Sequence, residues 1–143
     1  IQVIWQTGKS YIETARQQAQ GLSNVKVFDF ISKMDLAYAS ADCIISRAGA
    51  SSVSEIQIVG KPCILVPSPN VAEDHQTKNA MALVKTKAAI MVKDDDAKNE
   101  LIKKVIELIN NNQLQQELKN NISKMAMPNA AEQIAKEILN LIK

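Results

Sequence analysis

Two short stretches carry the residues able to do chemistry. Arg47-Ala48-Gly49-Ala50-Ser51-Ser52 joins an apolar run to an amphipathic one, and Asp74-His75-Gln76 follows the breaker Pro67-Ser68-Pro69. A strand that turns tightly into a helix aims several backbone N–H groups at one point, and such a point holds an anion such as a diphosphate. In that arrangement Gly49 supplies either a positive φ or room for a close ligand, while Ala50, Ser51 and Ser52 present N–H groups and hydroxyls. The stretch is neither a Gly-x-Gly-x-x-Gly fingerprint nor a P-loop, and an ordinary strand-to-helix turn with a serine cap has the same spacing.

Glu55 has two readings. Its carboxylate accepts two hydrogen bonds from a vicinal diol, such as the 2′- and 3′-hydroxyls of a ribose. Ser52-x-x-Glu55 equally fits a capping box, with Glu55 folded back on the Ser52 N–H. Gln76 carries donors and an acceptor suited to sugar hydroxyls, and His75 has the chemistry of a general acid–base. The alternative is a cap at Asp74 followed by two solvated first-turn residues.

No Ser/His/Asp or Cys/His pairing with an orienting third group is evident, so no nucleophilic catalyst is assigned. Cys43 and Cys63 lie inside apolar runs and read as buried free thiols of a reducing compartment. With one histidine and no close cysteine pair, neither a metal site nor a cofactor is implied. Asp94-Asp95-Asp96 reads as a solvated helix start or a weak cation site, and Met81, Met91, Met125 and Met127 as core filler.

These residues need a scaffold, and the bulk numbers fit one domain over 1–143: 143 residues, 46% apolar and 22% charged. A net charge of +2 with scattered lysines, and 3% aromatic residues, argue against nucleic-acid binding. No apolar run approaches the roughly 18 residues that span a bilayer. The chain opens without Met on the β-branched run Ile1–Trp5, which reads as a buried strand of an excised fragment whose neighbouring strand and loop are missing.

A helix is expected from Tyr11 to Gln20, a strand from Asn24 to Phe30, and a helix from a Ser32 cap (with Asp35) to Ser40. Cys43–Ile45 reads as a strand covered on both faces, Ser52–Val59 as a helix stopped by Gly60, and Cys63–Val66 as a strand. A loop then runs to Glu73, and a helix from Asp74 to Thr86 turns Ala80, Leu83 and Val84 inward. Ala88–Val92 is a strand, and a helix from Asp94 shows Leu101, Ile102, Val105, Ile106, Leu108 and Ile109 on one face. Gln113–Met125 is another helix. A final amphipathic helix, about 130–142, is capped by Asn129 with Glu132 and carries Ile134, Ile138, Leu139 and Ile142. This alternation implies an α/β domain with a parallel sheet, whose ligands lie beyond the carboxyl ends of the strands.

Together, IWQTGK (Ile4–Lys9), FISKMDLAYASADCIISRAGASSVSEI (Phe30–Ile56), GKPCILVPSP (Gly60–Pro69) and EDHQTKNA (Glu73–Ala80) resemble the C-terminal half of the MurG family of glycosyltransferase family 28. These are the bacterial transferases that move N-acetylglucosamine (GlcNAc) from UDP-GlcNAc to lipid I, giving lipid II. The resemblance implies a Rossmann-like half of a two-domain, B-type glycosyltransferase (GT-B) fold that holds the donor. It implies that the Ile31 backbone meets the uracil edge, that Ala50, Ser51 and Ser52 lie along the diphosphate and ribose, and that Glu55 holds the ribose hydroxyls. Gln76, with His75, would contact GlcNAc, and Arg47 would support the turn.

The family's first domain, with acceptor binding, the membrane-facing patch and the general base, has no counterpart in the chain. The resemblance thus implies an inactive donor half, with the whole protein cytoplasmic at the inner face of the plasma membrane and lipid I bound through the other domain. His75 remains a candidate base. The alternatives are a stand-alone donor subunit with a separate acceptor subunit, and a non-catalytic nucleotide-binding or interaction domain.

Overall fold

A computed structural model describes residues 1–70 and 74–142, so the end of the expected loop at Glu73 lies outside the described residues. The chain forms two compact units, Ile1–Ala41 and Asp42–Lys143.

In the first unit, β1 (Val3–Gln6) and β2 (Val25–Phe28) form a parallel pair in register Val3↔Val25 to Gln6↔Phe28. Helix α1 (Ile12–Gln18) crosses between them and buries Ala15, and α2 (Met34–Ser40) follows. Strand β1 is not buried as its composition suggests. Val3 is 40% and Ile4 50% exposed, because one strand pairing and one short helix do not cover both faces. The cap of α2 is Lys33 rather than Ser32, and its side chain makes no cap bond.

The second unit has β3 (Ile44–Ser46), β4 (Cys63–Leu65) and β5 (Ile90–Met91) in the parallel order β3-β4-β5. The register is Ile44↔Cys63 and Ser46↔Leu65, then Ile64↔Ile90 and Leu65↔Met91. The helices are α3 (Ala50–Val59), α4 (His75–Lys85), α5 (Asp94–Ile109), α6 (Asn112–Ser123) and α7 (Ala130–Leu141). The α/β, Rossmann-like expectation therefore holds, with parallel strands separated by helical crossovers.

The core gathers Ile64, Val66, Val92, Leu108 and Leu118, with Leu101, Val105 and Leu114 packed against it. Each such side chain contributes roughly 1.5–3 kcal/mol when fully buried. Strand β4 is entirely buried, whereas β3 is covered on one face only: Ile44 is 8% and Ile45 48% exposed. On α5 the expected apolar face is split, since Ile102 and Ile106 are exposed. Met127, expected in the core, is also exposed.

Two turns show how the chain is steered. Gly60 ends α3 at φ 66, a left-handed conformation that a side chain resists. A Cβ there would stand 2.7 Å from Ser123 Oγ, so the glycine also lets α6 approach. The side chain of Asn111 caps α6 by accepting from the Leu114 N–H at 3.0 Å. Asn129 stands at the start of α7 without a side-chain cap bond, and that helix exposes Ile134, Ile138 and Leu139, with Ile142 exposed just beyond its end.

Candidate functional site

The turn after β3 delivers the chain to α3 through Gly49, which sits at the cap position with φ −64 and ψ 148. This is extended backbone, so no positive φ is required. A Cβ on Gly49 would meet nothing within 4 Å, and what the glycine leaves is open space. The first intrahelical bond runs from the Val53 N–H to the Gly49 carbonyl at 2.9 Å. The N–H groups of Ala50, Ser51 and Ser52 therefore precede the helical ladder, at the positive end of the helix dipole.

Ser52 is the third residue of the helix, not its cap. The capping box with Glu55 is thus ruled out by position. Glu55 lies five residues beyond Ala50, about 7.5 Å along the axis. Ser51 and Glu55 are four apart and both exposed, while Val53 and Ile56 are buried. The hydroxyl and the carboxylate thus share the solvent face, the hydroxyl at the helix start and the carboxylate about one turn further on.

Helix α4 meets this turn with two amide side chains. Gln76 Oε1 accepts from the Ala48 N–H at 3.1 Å and from the Ser68 N–H at 2.9 Å, so it bridges the turn after β3 and the loop after β4. Asn79 Nδ2 donates to the Ala48 carbonyl at 3.0 Å. Ala48 is fully buried, and both of its backbone polar groups find partners on α4. No motif marks Asn79, although two amides at i and i+3 over the first two helical turns share a face and are a signal for it. The acceptor of Gln76 is thus committed to the backbone.

Asp74 occupies the cap position of α4 in a left-handed conformation, φ 56, and its side chain makes no cap bond. His75 is the first residue of α4 and is exposed. Arg47 Nη1 donates to the carbonyls of Val66 at 3.2 Å and Pro67 at 3.5 Å and pairs with Asp94 Oδ1. Arg47 thereby ties the turn to the end of β4 and the start of α5, and Asp94 is an ion-pair partner rather than a freely solvated acid. With the Arg47 side chain 55% exposed, the charge term is worth at most about 1 kcal/mol, and geometry is the larger gain.

Ile31 lies in the first unit, where its N–H donates to Gln6 Oε1 at 2.8 Å. Burial, reinforced by neighbouring Cys43, pushes the Cys63 thiol up to about 12; burial and then Asp42 push Cys43 up to about 11. Neither is a nucleophile near neutral pH. Among the described residues, no group of His, Cys, Asp and Glu is placed to hold a metal ion, and no helix is long and apolar enough to cross a membrane. A cavity of about 300 Å³ lined by Asp42, Lys61, Pro62, Asn112 and Lys119 lies at the amino ends of β3 and β4, the wrong end for this chemistry.

Residues 1–134 match the model of the glycosyltransferase family 28 C-terminal domain. A protein of Cytophaga hutchinsonii is 56% identical over 142 residues, covering 99% of this chain and 38% of its own length. A protein of Bacteroides fragilis is 53% identical over 144 residues, with the same coverage. Both are named UDP-N-acetylglucosamine–N-acetylmuramyl-(pentapeptide) pyrophosphoryl-undecaprenol N-acetylglucosamine transferase. The crystal structure of Acinetobacter baumannii MurG superposes with a TM-score of 0.86 at 31% identity, covering 98% of this chain and 41% of that one. The glycotransferase of kitacinnamycin, with a TM-score of 0.65 at 19% identity, shares the fold. The chain spans about two-fifths of the length of these curated relatives. With its parallel strands, its helix-start turn and a match over nearly its whole length, the chain belongs to the glycosyltransferase family 28 C-terminal domain family.

Proposed function

We propose that the chain is the donor-binding part of an inverting transferase that moves GlcNAc from UDP-GlcNAc to lipid-linked N-acetylmuramoyl-pentapeptide. The observation that carries this reading is the start of α3. Three N–H groups precede the helical ladder, and Glu55 stands about 7.5 Å further on the solvent face. That arrangement fits a diphosphate followed by a ribose, and relatives 56% and 53% identical carry the transferase name.

In this reading Ala50, Ser51 and Ser52 receive the diphosphate, Glu55 the ribose hydroxyls, and the Gln76 NH₂ with His75 the GlcNAc. Gly49 keeps the approach open, and Arg47 holds the turn. The assignment of Ile31 to uracil rests on the family resemblance alone. The acceptor 4-hydroxyl attacks the anomeric carbon, the bond to UDP breaks, and the charge growing on the leaving diphosphate is met by N–H groups already aimed at it. In this reading acceptor binding and the general base fall to the further length that the relatives have, and a lipid-linked acceptor suits work at the inner membrane face.

Calorimetric titration of UDP, UDP-GlcNAc and ADP tests this reading. Uridine-selective binding is expected, weakened in Glu55→Ala by about 1–3 kcal/mol, the scale of hydrogen bonds to a charged group. Equal affinity for all three nucleotides, or none, would overturn it in favour of a non-catalytic domain.

A further inference from the structure

The contacts between α4 and the turn after β3 lead to one more assignment. The peptide joining Ala48 to Gly49 has its carbonyl on one side and the Gly49 N–H on the other, because the linkage is planar and trans. Gly49 is the cap residue of α3, and its N–H belongs to the set that points out of the helix start. Rotation of that peptide about the flanking bonds is cheap, since one neighbour is a glycine whose missing side chain leaves open space. A flip would replace a donor by a carbonyl oxygen at the place where an anion is to bind.

Two bonds oppose the flip. Asn79 Nδ2 grips the Ala48 carbonyl at 3.0 Å, which fixes the opposite direction for the Gly49 N–H. Gln76 Oε1 takes the Ala48 N–H at 3.1 Å and so pins the preceding peptide as well. Ala48 is fully buried, so its carbonyl has no ready access to water if Asn79 lets go.

We infer that Asn79 is a positioning residue for the diphosphate: by holding the Ala48 carbonyl it keeps the Gly49 N–H and the helix start of α3 in their anion-binding orientation. The inference rests on the donor-site reading above. It differs from a sugar contact, because the bond is made to the backbone and the effect should be felt by any ligand that carries the diphosphate.

Asn79→Ala and the isosteric Asn79→Asp, which places an acceptor against the carbonyl, are to be titrated with UDP, UDP-GlcNAc and uridine. UDP and UDP-GlcNAc should weaken together by about five- to tenfold, while uridine, which has no phosphate, changes by less than about twofold. A loss confined to UDP-GlcNAc would overturn the inference in favour of a sugar contact. An equal loss for uridine would reduce Asn79 to general structural support, and no loss would remove its role. Wild-type protein that binds no UDP would instead overturn the donor reading. The brace has its own readout without ligand, since the Gly49 amide resonance should move and its hydrogen exchange quicken in Asn79→Ala. An unchanged Gly49 signal refutes the brace whatever the nucleotide does.

Discussion

Strand β4 (Cys63–Leu65) is flanked by β3 and β5, and all three of its residues are buried. Strand β1 (Val3–Gln6) pairs with β2, and Val3 and Ile4 are 40% and 50% exposed. Both are short runs rich in apolar residues, and composition alone makes both look like core strands. What separates them is the number of neighbours. A central strand has ladders on both edges and helices over its faces, while a strand with one partner meets its cover only where α1 reaches. Apolar character therefore reports the tendency to be a strand, and the topology decides how much of that character is hidden.

The largest way to test this contrast is to truncate the buried strand. Leu65→Ala should cost about 2–5 kcal/mol, because the removed atoms leave a cavity in a fully covered site. Urea unfolding followed by circular dichroism measures it, and a loss below 1 kcal/mol would show that β4 is not the centre of the core. A second test changes the turn that feeds the same strand. Gly60→Ala must adopt φ 66 and bring its Cβ within 2.7 Å of Ser123 Oγ, which itself donates to the Lys119 carbonyl. A cost of about 2 kcal/mol is expected, the left-handed conformation accounting for about half. Removing the hydroxyl with Ser123→Ala in the same chain should return part of that cost, and full additivity would refute the clash.

The cysteines put the contrast on a pH axis. The folded thiols lie at about 12 for Cys63 and about 11 for Cys43, against an ordinary 9.0. A raised folded value means that the neutral thiol is favoured by folding. Its stabilising effect is whole below pH 9, and stability falls as pH rises above 9, where the unfolded chain ionises and the folded one does not. Unfolding midpoints measured from pH 8 to pH 10.5 should decline, with a smaller decline in Cys63→Ala. A flat profile would show that Cys63 is not shielded in β4.

Much of the fold was legible in the sequence, and the reasons are local. The β-branched runs, the glycine after Val59 and the acidic start at Asp94 each act within a few residues, so strands, stops and helix order could be read. The site was half legible. Ser51, Ser52 and Glu55 could be placed on a helix start, but spacing left the capping box open beside the diol reading, and it fails because the true cap is Gly49, whose contribution is its backbone alone. Arg47 with Asp94, and Gln76 with Asn79 around Ala48, join residues 28 to 47 positions apart. Such pairings depend on how the layers fold together, and no spacing rule announces them. The expected caps at Ser32 and Asn129 show the same limit, since polarity marked the place without making the bond.

The smallest effect is the sharpest check on the exposed strand. Val3→Thr keeps the β-branched shape and replaces one methyl by a hydroxyl, so it retains strand propensity while making the side chain polar. Were β1 a buried strand, that hydroxyl would need a partner and the cost would be about 1–3 kcal/mol. At 40% exposure the hydroxyl reaches water, and the backbone bond from the Val3 N–H to the Asn24 carbonyl at 2.8 Å is untouched. The change should therefore stay within about 0.5 kcal/mol, as for ordinary surface substitutions. Val66→Thr, directly after β4, is the matched control, where the same chemistry falls on a side chain only 6% exposed. Equal costs at the two positions would mean that β1 is covered in solution, and the contrast between the strands would fail.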